Sequence, residues 1–207
     1  MDLRAGGTWM GITRQGRFAA VTNYRETASV PEQAISRGEL CKGFLNSNVS
    51  AETYLAAIDQ QKQRYAGFSL LVGDYQQLFY YGNRQGKIIP IAAGVHGLSN
   101  GQLNEPWPKV EMGKLALANK LTTELTASSL LPILLNDETY PDQQLPQTGI
   151  DIDRERMLSS RFIRSAEYGT RNASILLSNA QYSQLLIQEF YPQGKSGKQQ
   201  LTEIMHQ

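Results

Sequence analysis

Phe68-Ser-Leu-Leu-Val-Gly-Asp-Tyr-Gln-Gln-Leu-Phe-Tyr-Tyr-Gly-Asn-Arg-Gln-Gly-Lys-Ile-Ile-Pro-Ile91 decides the fold class. Three short β-rich runs, 68–72, 77–81 and 87–91, are separated by Gly73-Asp74 and by the turn-forming stretch 82–86. Connections this short cannot host a parallel crossover, so the runs form an antiparallel meander. Tyr80 then lies on the face opposite Phe79 and Tyr81. A tyrosinate ligand is one use of such a residue, and plain packing is the other.

Working outward, residues 8–13 and 17–22 flank Arg14-Gln15-Gly16 and read as a hairpin. Pro31-Glu32-Gln33 has the composition of a helix start. Residues 38–45 read as a short helix with Leu40 and Phe44 on one side. Ser50 is placed to cap a longer helix from Ala51 to about Tyr65. After the meander comes a Gly-, Asn- and Pro-rich loop, 94–108. Helical patterns cover 109–126 and 128–135, and Asp153 is placed to cap a helix reaching Ile163. Two closing strands, 169–177 and 182–190, flank Ser178-Asn-Ala-Gln181, and the tail from Gly194 reads as polar and loose. Strand groups and helix groups alternate in blocks, which is the pattern of an α+β protein with helices over antiparallel sheet.

Composition excludes several function classes. The 207 residues carry 20 Lys+Arg against 19 Asp+Glu, a formal charge of +1. That leaves no basic excess for a nucleic-acid binder and no polybasic membrane anchor. A single cysteine, Cys41, forbids an intramolecular disulfide and a cysteine-rich zinc site. Two histidines, His96 and His206, argue against a histidine metal centre. Gly6, Gly7, Arg14 and Arg17 break the first apolar stretch, and Pro132 interrupts the cluster 130–135. The expectation is a soluble, cytoplasmic protein with no integral membrane segment.

Three segments carry more than architecture. They are Ala5-Gly-Gly-Thr-Trp-Met-Gly-Ile-Thr-Arg-Gln-Gly-Arg-Phe-Ala-Ala-Val-Thr-Asn-Tyr-Arg25; Gly94-Val-His-Gly-Leu-Ser-Asn100 with Pro106-Trp-Pro-Lys-Val110; and Leu158-Ser-Ser-Arg-Phe-Ile163 with Tyr168-Gly-Thr-Arg171. In this order and spacing the chain resembles the NRDE family, also called the transport and Golgi organisation protein 2 family, from about residue 2 to about 193. The resemblance implies an αββα sandwich like that of N-terminal-nucleophile hydrolases. It gives a single domain over 1–193, N-terminally truncated, and a polar tail over 194–207. Family members begin with a cysteine after the initiator methionine and carry an Asn-Arg-Asp-Glu motif. Here residue 2 is Asp2 and the motif does not occur. The chain is expected to be a fragment or to have a misplaced start, or else to be a natural short form.

That departure bears on chemistry. N-terminal-nucleophile catalysis uses the side-chain nucleophile and the free α-amine of one residue. Cys41 is internal to a helical pattern and has no free amine, so it is expected to pack rather than react. The polypeptide is expected to be inactive as an amidohydrolase and to have no catalytic residues. The resemblance implies instead haem binding and haem transfer within the cell, with haem as the transported ligand and haem-acceptor proteins as partners. A role in membrane-trafficking homeostasis is also linked to the family.

The candidate ligand-binding residues are Asn23, Arg25, His96, Asn100 and Arg171. By the resemblance, Asn23 and Asn100 are strand-end asparagines whose side-chain N–H groups face a developing oxyanion, worth about 3 kcal/mol each. The plainer reading is that both close turns. Arg171 is read as entering a central strand, where it is costly unless paired or facing a cavity, and so as a propionate anchor. Arg25 can line the same mouth. Arg161 reads as an ordinary helix-surface arginine. His96 sits between glycines that permit close approach, and is read as solvent-facing, as a haem ligand or as an acid–base group. Trp107, between two prolines, plugs its loop onto the core or walls a flat ligand. Residues 82–87 are one residue too short between glycines for a P-loop.

Overall fold

The computed structural model describes residues 6–27, 32–122 and 125–207. The chain divides into two compact units, one comprising residues 1–94, 98–103 and 206–207, the other 95–97 and 104–205. The element composition is that of an α+β protein with two antiparallel sheets.

In the first unit β1 (Met10–Ile12), β2 (Phe18–Asn23), β3 (Phe68–Gly73), β4 (Leu78–Gly82) and β5 (Lys87–Pro90) form one sheet in sequential order. All neighbours are antiparallel, which the short connections β1–β2, β3–β4 and β4–β5 require, while β2 and β3 are joined by the long segment 24–67. At the β3–β4 turn Gly73 takes a φ of 151°, and the Asp74 carboxylate accepts from the N–H groups of Gln76 and Gln77 at 2.9 and 3.1 Å. Alternation assigns the faces. Ala19, Val21, Phe68, Leu70, Val72 and Tyr81 share one core with Leu40, Cys41 and Phe44 of α1 (Gly38–Leu45) and Leu55 and Ile58 of α2 (Ala51–Asp59). Thr22, Ser69 and Tyr80 take the other face.

Ser50 caps α2 as its sequence position implies, accepting from the Thr53 N–H at 3.1 Å. The helix stops at Asp59 instead of Tyr65. The polar run that follows makes a short 3-10 turn, Lys62–Arg64, and Tyr65 turns inward to the core. The helix start read at Pro31 lies outside the described residues. Glu32 and Gln33 form a turn.

In the second unit α3 (Pro108–Lys120) and α4 (Ala127–Leu134) precede α5 (Ile152–Met157) and the sheet β6 (Asn172–Ser178), β7 (Tyr182–Tyr191), β8 (Lys195–Met205). α4 packs on β6 and β7 through Ala127, Leu130, Ile175 and Leu186, while Phe162, Ala173 and Phe190 make a second small cluster.

Three sequence expectations change here. The helix read across 109–126 ends at Lys120, and the one read at 128–135 starts at Ala127, capped by Thr126, whose hydroxyl accepts from the Ser129 N–H at 3.1 Å. The helix read from Asp153 to Ile163 is capped two residues earlier, by Asp151, and ends at Met157. Phe162 is pulled out of it, donating its N–H to the Asn136 carbonyl at 2.8 Å and burying its ring against Phe190 at 4.7 Å. The tail read as loose is strand β8. Gln193 and Gly194, with φ of 62° and 73°, reverse the chain after Tyr191. The polar residues then pair with β7, with Gln199 to Gln188 at 3.0 Å and Gln184 to Glu203 at 3.2 Å across the strands.

Candidate functional site

Asn23, Arg25 and Asn100 come together at the end of β2. Asn23 pairs with Phe68, and the next N–H, of Tyr24, still reaches the Gly67 carbonyl at 2.9 Å. Beyond that point β2 parts from β3, and loop 98–103 takes its place. The Arg25 N–H donates to the Asn100 carbonyl at 2.6 Å, and the Asn100 side-chain amide donates to the Asn23 carbonyl at 3.1 Å. Underneath, the buried Ser69 hydroxyl donates to the Gly101 carbonyl at 2.9 Å and lies 3.2 Å from the Tyr80 hydroxyl. Loop 98–103 is thus stapled to the sheet by side-chain and backbone bonds together.

In this geometry Asn100 closes the loop, and the Asn23 side chain stands exposed. One N–H of the Asn100 amide is occupied by the Asn23 carbonyl. Sequence reading missed Ser69 and Thr22, which are cross-strand partners on this face. The Thr22 hydroxyl is buried and has no hydrogen-bond partner among the described residues. Their only sequence signal is a hydroxyl at an alternating position of an apolar strand. Tyr80 is buried on this polar face as the alternation implies, its hydroxyl held by Ser69 and Gln85.

His96 belongs to the second unit, where it meets a residue that sequence reading also missed. Asn104 sits in the left-handed region with φ of 59°. Its N–H donates to the Gly97 carbonyl at 2.7 Å, its Oδ1 accepts from the Gly97 N–H at 2.9 Å, and its Nδ2 faces His96 Nδ1 at 2.9 Å. A side chain at Gly97 would meet Val110 Cγ1 at 2.6 Å, so this close approach requires glycine. Trp107 is buried directly ahead of α3, with the Lys109 ammonium 5.9 Å from its ring.

Arg171 and Arg161, both in the second unit, differ in burial from what the sequence suggested. Arg171 is exposed and precedes β6, which is an edge strand, so the cost of a central-strand arginine does not arise. Its carbonyl accepts from the Phe190 N–H at 2.8 Å. Arg161 lies beyond the end of α5 and is half-buried. Its Nε donates to the Ile133 carbonyl at 2.8 Å, and its buried Nη1 has no hydrogen-bond partner among the described residues.

Cys41 is fully buried in α1, where its thiol donates to the Trp9 carbonyl at 3.6 Å. Burial pushes the thiol up to about 12, so the thiolate that nucleophilic chemistry requires is suppressed. Among the described residues, no three of His, Cys, Asp and Glu gather as a metal-ligand set, and no helix is long and apolar enough to cross a membrane.

The structure therefore defines an α+β protein whose polar groups converge on the ends of a five-stranded sheet and on a histidine loop. The family model for Transport and Golgi organisation 2 matches residues 1–206, and the chain belongs to that family, the one its three segments resemble. Among its relatives is a Transport and Golgi organization protein 2 homolog of Bos taurus, 34% identical over 196 residues, covering 86% of this chain and 69% of the relative. The homologs of Mus musculus and Homo sapiens are 32% and 33% identical, with the same coverage.

Proposed function

We propose that this chain is a ligand-binding protein that takes up haem and transfers it to acceptor proteins in the cytoplasm. The observation that carries binding over catalysis is Cys41. The one thiol of the chain lies inside the main core with its ionisation suppressed, so it supplies no nucleophile. The NRDE-family resemblance supplies haem as the ligand. The candidate ligand-binding residues of this reading are Asn23, Arg25 and Asn100 in the first unit and His96 and Arg171 in the second, the two arginines being cations suited to propionates. A carrier is served by modest affinity, because release must compete with binding.

Titration of the protein with micromolar hemin tests this. A Soret shift that weakens several-fold in Arg25→Ala and Arg171→Ala is expected. A flat Soret region, together with turnover of small amide substrates, overturns it. One observation favours the second reading, amide hydrolysis by an N-terminal nucleophile. The Asn100 side-chain amide is bonded to the Asn23 carbonyl at 3.1 Å, and the resemblance implies oxyanion donors at these two positions. An N-terminal cysteine on the polypeptide isolated from its native cell would bring that reading forward.

A further inference from the structure

We propose that Asn100 is a modification site: a backbone-assisted deamidation that the fold holds in check and that, once it has run, releases loop 98–103 for good. The step does not depend on which ligand the chain binds.

Asn100-Gly101 is the one Asn-Gly step in the sequence. The chemistry is intramolecular. The Gly101 backbone nitrogen loses its proton and attacks the side-chain amide carbon of Asn100, and Nδ2 leaves as ammonia. Water then opens the cyclic imide at either carbonyl, giving aspartate or isoaspartate. One water is consumed and one ammonia released, so no other reactant is needed. Glycine suits the step because no side chain obstructs its nitrogen and its backbone turns freely.

The loop opposes that attack on both sides of the step. The Asn100 carbonyl accepts from the Arg25 N–H at 2.6 Å, and the Asn100 side-chain amide donates to the Asn23 carbonyl at 3.1 Å. In extended backbone a C=O and the N–H two residues later point the same way. The carbonyl and the side chain of Asn100 therefore both face the strand end. A peptide nitrogen leaves the carbonyl carbon on the side away from the oxygen. The Gly101 nitrogen is thus turned from the carbon it would attack. Gly101 itself is buried, its carbonyl accepts from the Ser69 hydroxyl at 2.9 Å, and Leu98 pairs with Leu103 across the loop. Bringing nitrogen to carbon means breaking these bonds together.

The product does not fit the place that held the reactant. Aspartate presents only acceptor oxygens where Nδ2 donated, and the Asn23 carbonyl facing it is an acceptor too. Isoaspartate routes the backbone through Cβ and moves its carbonyl off the Arg25 N–H. Either product loses the clasp between the loop and β2, so the release runs one way.

Peptide mass mapping of protein aged at mildly alkaline pH, folded and in denaturant, tests the restraint. The amide-to-acid mass change at Asn100 is expected to accumulate roughly a hundredfold more slowly in the folded protein. Ser69→Ala is expected to speed the folded rate about fivefold. Folded and denatured protein converting at one rate, or a Ser69→Ala rate equal to the wild type's, overturns the proposal. Amide exchange tests the release. In Asn100→Asp, the aspartate product made directly, the Arg25 N–H is expected to exchange several-fold faster, while Leu70 in the core keeps its protection. Arg25 protection equal to that of the wild type overturns the one-way release. Wild-type protein aged to full conversion gives the same comparison should Asn100→Asp fail to fold.

Discussion

The two units reach order by different routes. In the first, strands β2 to β4 and helices α1 and α2 enclose one continuous apolar cluster, from Ala19 to Tyr81. Polar groups serve there as anchors at its edges. Arg17 donates to the Phe44 and Val49 carbonyls at 3.2 and 2.9 Å, with its guanidinium 4.0 Å from the Phe44 ring. The second unit has two small clusters, and β8 lies mostly exposed. Its long connections are held by individual polar contacts. Tyr140 N–H reaches the Ser159 hydroxyl at 3.1 Å, Lys109 reaches the Leu158 carbonyl at 2.7 Å, and the buried Glu155 carboxylate receives Thr148. Burial of apolar area is cooperative over a cluster, whereas single hydrogen bonds give way one at a time. The first unit should therefore open as a block and the second piecemeal.

The largest effect expected from this contrast is in the core. Phe68→Ala removes a fully buried ring from the large cluster, where it packs among eleven other buried residues. A loss near the upper end of about 3–5 kcal/mol is expected in denaturant unfolding. Phe190→Ala, in a cluster of three buried residues, should fall at the lower end. Equal losses would break the comparison. A smaller effect is expected at Asn83, whose Oδ1 accepts from the Phe68 N–H at 2.9 Å while its amide donates to the Ala66 carbonyl at 3.2 Å. Asn83→Ala leaves the Phe68 N–H buried and unpaired, at a cost of about 1–3 kcal/mol. Amide exchange of Phe68 should accelerate with it. Unchanged exchange at that amide would mean that Asn83 does not anchor the turn.

The same contrast explains what was legible in the sequence. The meander could be read because local signals and tertiary packing agree there: Phe68, Leu70 and Val72 alternate, and Gly73 stands where the turn demands it. β8 could not be read, because Lys195 to Gln200 has no apolar alternation and its order comes from the β7 ladder. Helix α5 was read too long because Phe162 is claimed by Asn136 and Phe190, both distant in sequence. Among site residues, Asn23 and Asn100 announced themselves at a strand end and in a glycine loop. Asn104 did not, since its meaning depends on a positive φ and on a bond to Gly97 seven residues back. Arg171 was read into a central strand because a strand pattern does not say whether the strand is central or at the edge.

The finest test leaves stability at neutral pH untouched. Burial raises Cys41 to about 12. It also raises Tyr54 and Tyr65, and it raises Tyr81, where the hydrogen bond to Asp59 at 2.7 Å adds to the effect. All four groups belong to the first unit. Each is held neutral in the folded state beyond its ordinary range, so the unfolded chain releases its protons first. The stabilisation is whole below the ordinary thiol and tyrosine values, and it drains away as pH rises from about 9 toward 12. The first unit should lose its advantage over the second across that window, seen as faster amide exchange in β3 than the rise in base catalysis alone explains. Iodoacetamide gives the same answer more simply. At about pH 8.5 an exposed thiol is half ionised, yet native Cys41 should stay unlabelled until denaturant opens the first unit. Labelling at the rate of an exposed thiol would show that the larger core opens as readily as the smaller ones, and the contrast between the units would fail.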